Sequence, residues 1–199
     1  MGRIKSALEI ALEKTEGVKG DKGSIGLFEA KQQGKRLAND FLSGEKSLEE
    51  EIKKIPKEKL ESVRQGVFEV LVSQVSLPAV PEDIKRLERT GGGLVLIIGD
   101  RRFAPLFQRF IQAVSQYLDE AAQYEEALKR QYAPKLRQKE EELARRIGRA
   151  IKLDPFQDPE FVAFFNQNIN ALKANYEGLA AQVREQAGLL FGERQGGAD

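Results

Sequence analysis

The side chains of this sequence with the most capacity for chemistry are its carboxylate runs, Glu49-Glu50-Glu51 and Glu140-Glu141-Glu142. Two carboxylates can hold a divalent cation or divide acid and base roles, provided they converge in a buried site. Both runs sit among lysines and arginines in polar stretches, where solvated helix faces with local ion pairs are expected. Gly91-Gly92-Gly93 raises the question of a phosphate loop. A dinucleotide fingerprint needs strand, then glycines, then helix, and here the glycines precede the apolar run Leu94-Val95-Leu96-Ile97-Ile98. No GxxxxGK[ST] string occurs. Gly99-Asp100-Arg101 does follow the apolar run, but alone; an enzyme using carboxylates or a cofactor would need a buried polar convergence near it. The glycines are expected instead to serve a helix terminus and close backbone packing. With no His and no Cys, thiolate chemistry, disulfides, a serine triad of the usual kind and the commonest transition-metal ligand are all excluded. No catalytic residue, cofactor or metal site is expected.

One charged stretch stands apart. Residues 129–152 carry nine basic side chains against Glu140, Glu141 and Glu142. Lys135, Arg137, Arg145, Arg146, Arg149 and Lys152 are the candidate residues for an anionic partner, with Arg145, Arg149 and Lys152 on one helical stripe. Such a group could grip the phosphates of RNA or DNA, or an acidic protein surface. The competing expectation is an exposed, solubilising helix face, since no aromatic stacking motif accompanies the charges.

These residues must be positioned by helices. Residues 3–15 read as a short helix ended by Gly17 and Gly20. A second follows, capped by Asp21 or Ser24 and marked by Ile25, Phe28, Leu37 and Phe41, with Gly44 closing it. Ser47 with Glu50 forms a capping box for a brief helix through Ile55. Pro56 opens a longer one carrying Leu60, Val63, Val67, Val70 and Leu71. Leu77-Pro78-Ala79-Val80-Pro81 breaks the pattern, and Pro81 opens a helix with Ile84 and Leu87. Residues 91–99 have no visible strand partner, so they are expected as a buried helix or an irregular apolar segment.

The strongest periodicity comes next. Phe103, Phe107, Phe110, Val114, Tyr117, Ala121, Tyr124 and Leu128 are spaced alternately by four and three, a sustained heptad-like seam. Tyr132 and Leu136 continue it in fours, Pro134 is expected to kink the helix, and Leu143, Ile147 and Ile151 resume the stripe. After the turn at 153–159, Asp158 caps and Pro159 opens a last helix carrying Phe161, Phe165, Ile169, Leu172, Tyr176, Leu179, Val183 and Leu190 up to Gly192. Phe164 beside Phe165 cannot point the same way, which leaves one ring for a second surface such as a subunit contact.

The 199 residues, 41% hydrophobic with a net charge of +1, suffice for a core and create no global field toward nucleic acid or membrane. The expected fold is all-α: a helical bundle on a long antiparallel helical hairpin, with shorter N-terminal helices. Its segments would be 1–55, 56–99, the hairpin 100–192 and a mobile tail 193–199, together one structural domain. No apolar run is long enough to span a bilayer and no signal peptide is visible, so a cytoplasmic setting is expected.

The opening Ile4-Lys5-Ser6-Ala7-Leu8-Glu9-Ile10-Ala11-Leu12-Glu13-Lys14-Thr15, with Gly34-Lys35-Arg36-Leu37-Ala38, resembles an uncharacterised family of small helical bacterial proteins. The resemblance implies a bacterial cytoplasmic setting and transfers no functional residue. The expected role is a non-enzymatic helical scaffold that binds protein partners, itself included as a homodimer. A nucleic-acid-binding module using residues 129–152 is the alternative, and a carboxylate-based or cofactor-using enzyme a more remote one.

Overall fold

In the computed structural model the backbone is described for residues 7–196 and side chains for residues 24–194. The described elements are all helical: α1 (Ala7–Ser43), α2 (Leu48–Lys53), α3 (Lys57–Ser73), α4 (Asp83–Ile98), α5 (Phe103–Ile147), a 3-10 turn (Pro155–Gln157) and α6 (Pro159–Gly196). The all-α class and the long C-terminal helix pair expected from the sequence are therefore present.

Several boundaries differ from expectation. α1 runs through Gly17 and Gly20 as one helix, so neither glycine ends it and no cap starts a second one at Asp21 or Ser24. A helical glycine costs only about 1 kcal/mol, which neighbouring turns can offset. Residues 3–6 lie outside the described residues. Ser47 caps α2, its hydroxyl accepting from the Glu50 N–H at 3.5 Å, but the helix stops at Lys53 rather than Ile55. Pro56 stands at the N-cap of α3, one position before its expected place. Gly91, Gly92 and Gly93 lie inside α4 instead of at a terminus. The apolar run that follows them is that helix's last turns, with Leu94, Ile97 and Ile98 buried. α6 continues past Gly192 to Gly196; the remainder of the expected mobile tail, 197–199, lies outside the described residues.

The chain divides into two compact units. One comprises residues 1–74, 89–101 and 190–199; the other comprises 75–88 and 102–189. In the first, α1 crosses α3 with backbone nearly touching backbone. A Cβ on Gly34 would overlap the Val63 carbonyl oxygen, and one on Gly66 would overlap the Lys31 carbonyl oxygen. Each helix thus offers a glycine where the other offers a carbonyl. Around this crossing Ala30, Leu37, Ala38, Val63, Val67 and Leu71 are buried, and Glu69 ties α3 to Lys31 (2.6 Å) and Lys35 (3.2 Å). The Phe68 and Phe191 rings stack at 4.1 Å. Arg194 donates to the Ile97 carbonyl at 2.6 Å, satisfying an acceptor that the end of α4 leaves open.

The second unit is built on α5 and the first thirty residues or so of α6. Pro105 is the third residue of α5, where its missing N–H would have had no partner anyway. Phe103, Phe107, Phe110, Val114, Tyr117 and Leu128 are buried as the heptad pattern requires, whereas Ala121 is half-buried and Tyr124 exposed; Tyr132 and Leu136 carry the seam on. α5 continues through Pro134. Rings from the two helices meet along their length, Tyr117 with Tyr176 at 5.1 Å and Tyr132 with Phe161 at 5.2 Å, so the antiparallel pairing is direct. Phe164 and Phe165 both join the cluster of Tyr132, Leu136 and Phe161. Phe164 faces Tyr132 (5.9 Å) and Phe165 faces Phe156 (5.3 Å). The turn curls Phe156 back over the helix, so both rings find partners there and neither is set aside for a second surface.

Candidate functional site

The closed end of the hairpin holds the densest polar arrangement among the described residues. α5 ends where Gly148 adopts the left-handed conformation, φ 78°, and donates its N–H to the Ala144 carbonyl. From there the chain doubles back along α5. The Leu153 N–H reaches the Glu140 carboxylate at 2.8 Å. Asp154 accepts from the Phe156 N–H to shape the 3-10 turn, and Asp158 accepts from the Glu160 N–H at 3.0 Å to cap α6.

Asp158, only 7% exposed, is the centre of this network. Lys139 donates to both its oxygens, at 2.9 and 2.7 Å, and to Glu160 at 2.7 Å. The Tyr132 hydroxyl donates to Asp158 at 3.1 Å, and Lys135 pairs with Glu160 at 2.9 Å. Lys139 holds Asp158 below the ordinary carboxylate range. Lys139 and then Lys135 draw Glu160 down to about 2. In return, Asp158 and Glu160 raise Lys139, while burial, reinforced by Asp158, raises the Tyr132 phenol. Such charges stabilise one another as a set and leave none of them poised near neutral pH, so the network locks the turn.

Against this frame the six residues singled out from the basic stretch separate into two groups. Lys135 is neutralised by Glu160, as Lys129 is by Glu125 and Glu126 and Lys139 by Asp158 and Glu160. Arg137, Arg145, Arg146, Arg149 and Lys152 are exposed, and no described carboxylate pairs with them; Arg145 donates to the Glu141 backbone carbonyl. The stripe expected for Arg145, Arg149 and Lys152 does not form. Gly148 ends the helix before the last two, which follow in the returning segment. Arg146 borders a cavity of about 310 Å³ whose other walls include Leu143, Leu153 and Pro159, with Lys139, Asp158 and Glu142 at its polar side.

Two further cavities lie in line along one face of the α5–α6 pair. One of about 420 Å³ lies between Leu106, Phe110 and Ala113 on α5 and Leu179, Gln182 and Val183 on α6. The other, about 480 Å³, lies between Glu120, Tyr124 and Ala127 and Asn168, Leu172 and Asn175. The two linings follow one another along both helices, with Ala113 and Glu120 one heptad apart on α5, and together mark a groove of roughly 32 Å at the standard rise from residue 106 to 127. Leu179 and Tyr124, each 38% exposed, stand at its edges. The groove was missed in sequence because its walls include small and polar residues, Ala113, Ala127, Asn168 and Gln182, which no apolar seam selects. Asp158 was legible as a cap, but its partner Lys139 is nineteen positions away and carries no periodic signal.

Gly99-Asp100-Arg101 follows the end of α4, and Gly99 takes φ 70° directly after it. Among the described residues no group of three His, Cys, Asp or Glu side chains is placed to hold a metal ion. No helix among them is long and apolar enough to cross a membrane.

The fold and these surfaces define an all-helical protein centred on a long hairpin with an ion-locked turn. The chain belongs to a family of unknown function, DUF6657, which it matches over residues 49–188. That span contains α2 through most of α6 and lies C-terminal to residues 4–15 and 34–38. No curated protein and no solved structure matches the chain.

Proposed function

We propose that the protein is a non-enzymatic helical interaction protein that self-associates through the groove of its α5–α6 hairpin. The supporting observation is the pair of collinear cavities, about 420 and 480 Å³, lined by heptad-spaced positions of both helices. Two antiparallel helices bury one seam and leave a furrow on either side; a second hairpin laid in the furrow completes a four-helix arrangement. The occupant is a second copy of the chain. The lining carries Arg109 and Glu185 toward one end and Glu120 just past the middle, so a two-fold axis between Arg109 and Glu120 brings Arg109 of one copy beside Glu120 of the other. A bacterial cytoplasmic setting, as the sequence suggests, accompanies this role.

The chain has no cysteine, which makes cross-linking site-specific. Gln182→Cys and Ala171→Cys place single thiols on α6 on opposite sides of the groove's middle. Under mild oxidation a mixture of the two variants gives a covalent heterodimer in preference to either homodimer. A folded mixture that yields no disulfide-linked dimer contradicts the groove as the self-association surface.

A further inference from the structure

Past Glu142, the chain from Leu143 to Leu153 carries Arg145, Arg146, Arg149 and Lys152 and no acidic residue. All four are exposed. Compensation of the helix dipole accounts for Arg145 and Arg146, which lie in the last turn of α5. It does not account for Arg149 and Lys152, which follow the Gly148 cap where no helix needs them. Nor are the four spent on structure as their neighbours are: Lys129, Lys135 and Lys139 are engaged by carboxylates at 2.7 to 3.1 Å. The turn therefore holds its own charge balance with lysines and leaves a separate set of mostly guanidinium cations facing solvent. Guanidinium groups match phosphate oxygens two at a time.

The second observation is the cavity of about 310 Å³ beside them. Leu143, Leu153 and Pro159 give it apolar walls, Arg146 stands at its edge, and Glu142 offers an acceptor, the Asp158 oxygens being taken by Lys139, Tyr132 and the Glu160 N–H. An apolar slot bordered by a planar cation suits an unstacked base, which can lie against a guanidinium plane and donate an exocyclic amine to a carboxylate. A duplex exposes no such base. Among the described side chains of this segment Ile147, at 55% exposed, is the only strongly exposed large apolar one, too little to anchor in a bilayer.

From these exposed cations, which no described carboxylate engages, and the adjoining slot together, we infer that the closed end of the hairpin is a binding site for single-stranded nucleic acid. Arg145, Arg149 and Lys152 contact phosphates, and Arg146 covers a base in the cavity.

Fluorescence anisotropy with a labelled oligodeoxycytidylate of about 20 nucleotides, whose bases carry an exocyclic amine, tests this at about 50 mM salt. Three phosphate contacts give a log–log salt slope of about −2. The triple variant Arg145→Ala, Arg146→Ala, Arg149→Ala weakens binding at least tenfold. Lys129→Ala, whose ammonium is engaged by Glu125 and Glu126, leaves it unchanged. The same sequence as a blunt duplex binds more weakly. Absence of binding at that salt overturns the inference. So does binding that survives the triple substitution, a preference for the duplex, or binding of phosphatidylserine vesicles in place of the oligonucleotide.

Discussion

Lys139 reaches across from α5 to the residue that caps α6, and the charge state of this contact sets how the hairpin responds to acid. Asp158 and Glu160 titrate below their ordinary values in the folded protein because Lys139 stands beside them. A carboxylate depressed by folding contributes stability that is complete above its unfolded value and lost as pH falls through its folded one. For Glu160 that window runs from 4.5 down to about 2. The thermal midpoint is accordingly flat between about pH 7 and 5 and falls below that window's upper edge. Lys139→Met removes the cause: the midpoint drops at neutral pH, because Asp158 is left buried without its cation, and the remaining fall with acid becomes shallower. Circular dichroism melts of both proteins across this range check the prediction. A variant whose acid profile parallels the wild type contradicts it. Sequence alone showed Asp158 as a cap, since Asp before Pro is a local signal. The lysine that makes it a junction was invisible, because tertiary distance and not spacing brings it there.

Elements in this chain differ in how much of their packing the sequence announces. The α5 seam was readable because large apolar residues recur at helical spacing from Phe103 to Leu136 and bury as they recur, Tyr124 apart. The α1–α3 crossing was not, because it depends on what is missing. Gly34 and Gly66 read as ordinary helical glycines, yet each admits the carbonyl of the opposite helix. Gly34→Ala and Gly66→Ala must therefore push the helices apart, and each costs about 1–3 kcal/mol as overpacking. The adjacent pair in α4 supplies the control. A Cβ on Gly93 meets Leu71 and Phe41 side chains at 2.7 Å, whereas one on Gly92 meets nothing within 4 Å. Gly92→Ala gains helix propensity, about 1 kcal/mol, and Gly93→Ala does not. Chemical denaturation of the four variants separates the two classes; a Gly34→Ala protein as stable as wild type would remove the crossing as described. Gly17 and Gly20 teach the converse, since both invite a helix end and α1 passes through them.

At the scale of the whole molecule, the chain divides its charges between two tasks. Lysines near the hairpin turn are drawn into ion pairs that fix the fold, and arginines there remain at the surface. The apolar residues divide similarly: one seam joins α5 to α6, while the groove beside it, with Leu179 and Tyr124 at its edges, has walls that a second hairpin would cover. The all-helical class and the hairpin were legible because periodicity and caps are local. The groove was not, because it arises only when two helices are laid side by side and the small residues of each are seen to face the same way. Sedimentation equilibrium reads self-association through that groove directly. For a chain of 22.3 kDa, the mass rises with concentration toward twice that value, and Leu179→Glu shifts the population back to the single chain. A wild-type protein that stays at 22.3 kDa at every loading concentration contradicts it.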